Sequence, residues 1–294
     1  MRTLDELTQA VRLGNNPGPP GLRRAGVVRI ALSMVGAITV VGVYLIGGGP
    51  GWDTYAYWRA ATKLDPYGVS VAFGSFNYSP PIVDLLRPFG ALPWPLFYGG
   101  LTALSLAALV WMCRTWSLAA LAFPPVAIDL YQGNIHLILA AMIVAGFRWS
   151  GVWAVPILTK VSPGVGLLWF AVRREWRPLT LSLAVTAAIV AASLLVQPGL
   201  WASWLHHLAV TTLPADAVAV PVPFLLRLLT AAGLVAWGAA TARRWTVLVG
   251  AMWATALLGI GGFAMLAGLV PLWRENRSRA DRRGGEPGPR PAAR

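Results

Sequence analysis

Trp52-Asp53-Thr54-Tyr55-Ala56-Tyr57-Trp58-Arg59-Ala60-Ala61 puts an acid, two tyrosines, two tryptophans and an arginine into ten residues. The segment follows a long apolar run, where a membrane span would emerge from lipid. The chain has only 11 acidic residues, so an aspartate at such a mouth is a candidate for chemistry. A carboxylate there can act as a general base, taking the proton of a hydroxyl as that hydroxyl attacks. The competing reading is a helix N-cap, since Asp53 opens a predicted helix reaching about Lys63 and Asp is favoured at that position. Helical spacing places Tyr57 on the same face, four residues on.

Lys160 is one of two lysines among 24 basic residues. It lies in Ile157-Leu158-Thr159-Lys160-Val161-Ser162-Pro163, between two short apolar runs. A buried ammonium is costly and is usually partnered or functional. It can snorkel to headgroups, or it can bind a phosphate. Asp129-Leu130-Tyr131-Gln132-Gly133-Asn134-Ile135-His136 reads as a polar outer turn. Gln132 and Asn134 there offer neutral donors and acceptors for sugar hydroxyls or phosphate oxygens, while His136 reads as a core histidine. Phe76-Asn77-Tyr78-Ser79-Pro80-Pro81 leads into a helix that two prolines can start. Asp84 and Arg87 read as a surface pair. His206 and His207 are adjacent and point about 100° apart on a helix. With no third ligand in view they read as interfacial packing, and no metal or cofactor site is expected.

The elements that must hold these residues are membrane spans. The chain of 294 residues is 56% hydrophobic and 12% charged, with a mean hydropathy of +0.61. Soluble domains carry about 25% charged residues, so the expected class is an all-α, polytopic integral membrane protein. Its single cysteine, Cys113, excludes an intrachain disulfide and any multi-cysteine metal site. The net charge of +13 does not indicate nucleic acid, because the arginines lie in short clusters between apolar runs.

Apolar runs bounded by charges, Gly and Pro give spans at Val27–Ile46, Trp94–Cys113, Ser117–Tyr131, Asn134–Phe147, Leu179–Val196 and Val222–Thr241. Two paired runs, Val152–Thr159 with Gly164–Val172 and Thr246–Leu258 with Gly261–Trp273, are shorter than the roughly 20 residues a crossing needs. Each reads as a broken span, which is tolerated where it lines a protein cavity. The sum is about ten passes with both ends cytoplasmic. Apart from Arg29 in the first turn of the first span, only Arg59, Lys63, Arg87, Lys160 and Arg227 of the 24 basic residues then fall outside or within the membrane. That distribution puts the site on the extracytoplasmic face of the cytoplasmic membrane.

The expected organisation is a flexible cytoplasmic segment over 1–26, a transmembrane domain over 27–273 and a basic, disordered tail over 274–294. Extracytoplasmic loops fall at 47–93 and 197–221, the first long enough to hold interfacial helices.

In their order these features resemble glycosyltransferase family 87, integral membrane enzymes of the GT-C class. The matching residues are Asp53 to Ala61, Phe76 to Pro81, Gln132 to Asn134, Lys160 to Pro163 and Arg173 to Trp176, within roughly Val27 to Trp204. The resemblance implies transfer of mannose or a related sugar from a polyprenyl-phosphate donor to an extracytoplasmic lipid or glycan acceptor. It makes Asp53 the general base and Lys160 the donor-phosphate contact. Arg59 is a second candidate for phosphate. Tyr55, Tyr57, Trp58 and Tyr78 are candidates for a wall against sugar or lipid, beside Gln132 and Asn134. Membrane lipids are the expected surroundings. The rival readings are a transporter or flippase for a lipid-linked sugar, and a non-catalytic scaffold.

Overall fold

The computed structural model describes residues 20–63, 65–68, 75–210 and 220–275, and every element among them is helical. In chain order the α-helices are α1 Pro20–Ile46, α2 Trp52–Thr62, α3 Pro80–Leu86, α4 Trp94–Cys113, α5 Ser117–Ala120, α6 Pro124–Gln132 and α7 His136–Gly146. They continue as α8 Ala154–Lys160, α9 Leu168–Val172, α10 Trp176–Val196, α11 Pro198–Val210, α12 Phe224–Ala240 and α13 Trp245–Trp253. Tighter 3-10 turns occupy Arg87–Phe89, Arg114–Trp116, Ser150–Trp153, Ser162–Leu167 and Ile260–Gly268.

Three stretches are long and apolar enough to cross a membrane: Arg24–Ile46, Trp94–Ala120 and Trp176–Val196. The α6–α7 pair makes a fourth if its two halves, bent by 110°, count as one. The ten expected passes are therefore not reached by helices of spanning length among the described residues. The outward faces of the long helices suit lipid. In α1, Val27, Ile38 and Leu45 are 67%, 73% and 79% exposed, which would be unfavourable in water at about 25 cal/mol per Å².

Several expected boundaries are corrected. The first helix begins at Pro20, seven residues before the expected start of the span; residues 1–19 and 276–294 of the two expected tails lie outside the described residues. The run Ser117–Tyr131 is not one span. Pro124 and Pro125 lack the N–H a continuing helix needs, and Phe123 before them is extended, at φ −84 and ψ 106. Asn134–Phe147 contracts to the eleven residues of α7. The two paired runs are broken as expected. The first pair breaks at Val161, whose φ of +51 no β-branched residue adopts without strain. The second breaks after Trp253, where Arg227 of α12, 1% exposed, donates to the carbonyls of Trp253, Thr255 and Ala256. One guanidinium thus satisfies backbone groups that the interrupted helix leaves unpaired.

Two apolar cores result. The larger holds Leu109, Leu137, Trp153, Phe170, Leu248 and Met265. The smaller, with Tyr57, Phe76, Ile82, Phe97, Leu158 and Trp204, joins both long loops to half-helix α8. The first loop supplies α2 and α3 to it, in keeping with the helices expected there. The second supplies α11, while 211–219 lie outside the described residues.

Candidate functional site

The site is assembled at the bend between α6 and α7. Gly133 ends α6 at φ +63, a left-handed conformation that glycine adopts without penalty. A Cβ there would collide with the Thr54 hydroxyl oxygen. This close approach lets Thr54 donate to the Gly133 carbonyl at 2.7 Å, while the Gly51 N–H donates to the Tyr131 carbonyl at 2.8 Å. Both bonds dock the start of α2 onto the bend and bring Asp53 against Asn134.

The N-cap of α2 is Gly51, without a side-chain cap bond. Capping is thus not the role of Asp53: its Oδ2 accepts from Asn134 Nδ2 at 2.7 Å. Asn134 Oδ1 faces the other way and accepts from the Ile135 N–H at 2.7 Å and the Tyr57 hydroxyl at 3.2 Å. Tyr78 in turn donates to the Tyr57 oxygen, at 2.8 Å. Burial pushes the Tyr57 and Tyr78 hydroxyls well up, so both stay protonated. The Asp53 side chain is partly open yet closely enclosed. Burial raises its carboxyl above the usual range, the Asn134 bond and the charges of His136 and Lys160 lower it, and Asp129 raises it again. An enclosed carboxylate with a raised affinity for protons suits a base.

The second half of the site follows from the same bend. Asp129, fully buried in the last turns of α6, lies 2.8 Å through Oδ1 from His136 Nδ1 in the first turn of α7. Its Oδ2 accepts from the Leu137 N–H at 3.3 Å. The other ring nitrogen, His136 Nε2, is 2.8 Å from Lys160 Nζ at the end of α8. Ser79 steadies α8, since its hydroxyl donates to the Leu158 carbonyl at 2.6 Å. Lys160 and Asp53 are near enough to act on each other electrostatically. A groove of about 470 Å³ starts beside Lys160 at Val161 and Ser162 and continues past Leu168, Leu179 and Leu183.

Of the residues singled out by sequence, Asp53, Tyr57, Tyr78, Asn134 and Lys160 lie around this bend. Gln132 is close by, its Oε1 3.0 Å from where a Cβ on Gly261 would sit. The single aromatic wall is not formed, because α2 spreads its aromatic residues over two faces. Tyr55 packs on Trp94, with ring centres 5.5 Å apart, and Trp58 Nε1 donates to the Leu92 carbonyl. Arg59 lies over the Tyr55 ring at 5.8 Å. Helical geometry turns Tyr55 and Arg59 well away from Asp53. Sequence reasoning passed over Asp129 and reduced His136 to core. Their pairing depends on a 110° bend that only the fold reveals. The available signal was an acid inside an apolar run, seven residues before the histidine. His207 is buried; its Nε2 donates to Asn77 Oδ1 at 2.8 Å and its ring packs on Tyr67. Asp84 pairs with Arg87 at 3.6 Å and also accepts from Gln197 and Ser193.

Residues 76–284 match the sequence pattern of glycosyltransferase family 87. The chain belongs to that family. It is accordingly a membrane glycosyltransferase, acting on a sugar donor and an acceptor. The matched stretch carries Tyr78, Asp129, Gln132, Asn134, His136 and Lys160, whereas Asp53 precedes it. It starts later and ends later than the resemblance read over Val27 to Trp204. No curated protein and no solved structure matches the glycosyltransferase.

Proposed function

We propose that this glycosyltransferase moves mannose, or a related sugar, from a polyprenyl-phosphate donor to an extracytoplasmic lipid or glycan acceptor, with Asp53 as general base. The observation that carries the proposal is the meeting of an enclosed carboxylate and a lysine at the α6–α7 bend.

The acceptor hydroxyl gives its proton to Asp53 as its oxygen attacks the anomeric carbon. The bond from that carbon to the phosphate oxygen breaks, and its electron pair leaves on the lipid phosphate. Lys160 stabilises the charge that develops there, in a site where water competes weakly. Attack opposite the departing phosphate inverts the anomeric configuration. Asn134 orients the carboxylate, while Tyr57 and Tyr78, both protonated, orient Asn134. The groove that begins at Val161, the residue after Lys160, has the character of a prenyl-chain site, being lined mostly by apolar side chains. The arginine distribution supports placing the acceptor side outside the cytoplasmic membrane.

The test is incubation of the purified protein with radiolabelled polyprenyl-phosphate mannose and a membrane extract. Label should move to a new product. Folded Asp53→Asn protein should lose at least about 100-fold in rate. Full activity in that variant would refute the base assignment.

A further inference from the structure

Asp129, His136 and Lys160 form a buried string of which the reaction above uses only one end. Asp129 is 0% and His136 3% exposed. A carboxylate can only accept, so His136 Nδ1 carries the hydrogen facing Asp129, and the Leu137 N–H holds the second carboxylate oxygen. That fixes the tautomer. His136 Nε2 is left with its lone pair toward Lys160, and the ammonium donates to it at 2.8 Å. An ammonium has three N–H groups, so two remain for another acceptor. The backbone of Ile260–Gly268 closes over the string: a Cβ on Gly261 would lie 3.5 Å from Asp129 Oδ1, and one on Gly262 3.8 Å from His136 Nε2.

A histidine that only filled space would not need both ring nitrogens engaged. The arrangement resembles the way a carboxylate orients a metal-bound histidine, with an ammonium in place of the metal.

We propose that His136, oriented by Asp129, is a positioning residue that aims the Lys160 ammonium at the phosphate of the lipid donor. This rests on the donor reading given above.

The test is the binding of farnesyl phosphate to the purified full-length protein, followed by titration calorimetry. His136→Asn keeps a donor toward Asp129 but offers Lys160 no acceptor, while His136→Gln can present its amide oxygen to Lys160. Asp129→Asn is isosteric and frees the histidine tautomer. Loss of one hydrogen bond to a charged group predicts binding about tenfold weaker in His136→Asn and Asp129→Asn. Binding by His136→Gln should stay close to wild type. Adding His136→Asn to Lys160→Gln should weaken binding no further than Lys160→Gln alone. Wild-type affinity in Asp129→Asn, or full additivity in the double variant, would overturn the proposal while leaving the donor reading intact. If His136→Asn fails to fold, Asp129→Asn decides. If the wild-type protein binds no farnesyl phosphate, the donor reading fails and this proposal falls with it.

Discussion

A single methyl group at Gly133 should disable the enzyme. Gly133 has φ +63, where an alanine costs about 1 kcal/mol. The added carbon would also land on the Thr54 hydroxyl oxygen and approach Tyr98 to 3.1 Å. Thr54 is fully buried and bonded to the Gly133 carbonyl at 2.7 Å. Relieving the collision therefore breaks that bond, at about 1 kcal/mol. The expected destabilisation is about 2–3 kcal/mol. Activity should fall further than stability, because the same collision pushes α2, and Asp53 with it, off Asn134. A displacement of about 1 Å can cost 100-fold in rate. The assay is transfer rate and thermal melting for Gly133→Ala, Thr54→Ala and the double variant. Thr54→Ala removes the oxygen that collides and leaves a Cβ 3.1 Å away, so the double variant should recover much of the activity that Gly133→Ala loses. A wild-type rate in Gly133→Ala would refute the reasoning, as would a double variant no better than Gly133→Ala.

Three further outcomes follow from the same geometry. As a base, Asp53 must be ionised, and burial raises its carboxyl, so kcat/KM should climb with pH along a limb above the usual carboxylate range. Asn134→Ala removes the bond that favours the ionised form, so that limb should move to still higher pH; an unmoved or lowered limb in a pH–rate profile would count against the assignment. Arg227→Met leaves the carbonyls of Trp253, Thr255 and Ala256 without their donor and should destabilise the protein by about 3 kcal/mol or more, read by thermal melting, where a wild-type transition would be the contrary result. Leu183→Trp, at a half-exposed groove position, should raise KM for a long-chain donor and leave a short-chain donor unaffected; equal effects on both would argue against the groove as a chain site.

Local features were legible in the sequence. Trp94–Cys113 appears as the spacing predicts it, and α2 occupies Trp52–Thr62 where a helix to about Lys63 was expected. Both broken runs are broken, since Pro, Gly and length betray an interruption without reference to the rest of the chain. The relations between segments were not legible. Asn134 reads as one polar residue of a turn, yet its amide joins Asp53 to Tyr57 across 81 and 77 residues of sequence. His136 reads as an ordinary core residue because both its partners depend on the bend at Gly133 and on the approach of α8. Arg59 is a second phosphate candidate by sequence, and in the fold its guanidinium lies over the Tyr55 ring.

Arg227 has a consequence for how the chain is made. Its three carbonyl partners in and after α13 lie 26, 28 and 29 residues further along. A ribosome delivers α12 first, so the guanidinium reaches the membrane before anything exists to receive it. An isolated arginine at a bilayer centre costs about 2.5–3.5 kcal/mol, and Arg227 sits in the first turn of α12, where its side chain can wait at the aqueous end. The guanidinium gains its full set of partners only once Ala256 has been synthesised, so the end of α13 and the residues just after it help to hold the earlier α12 in place.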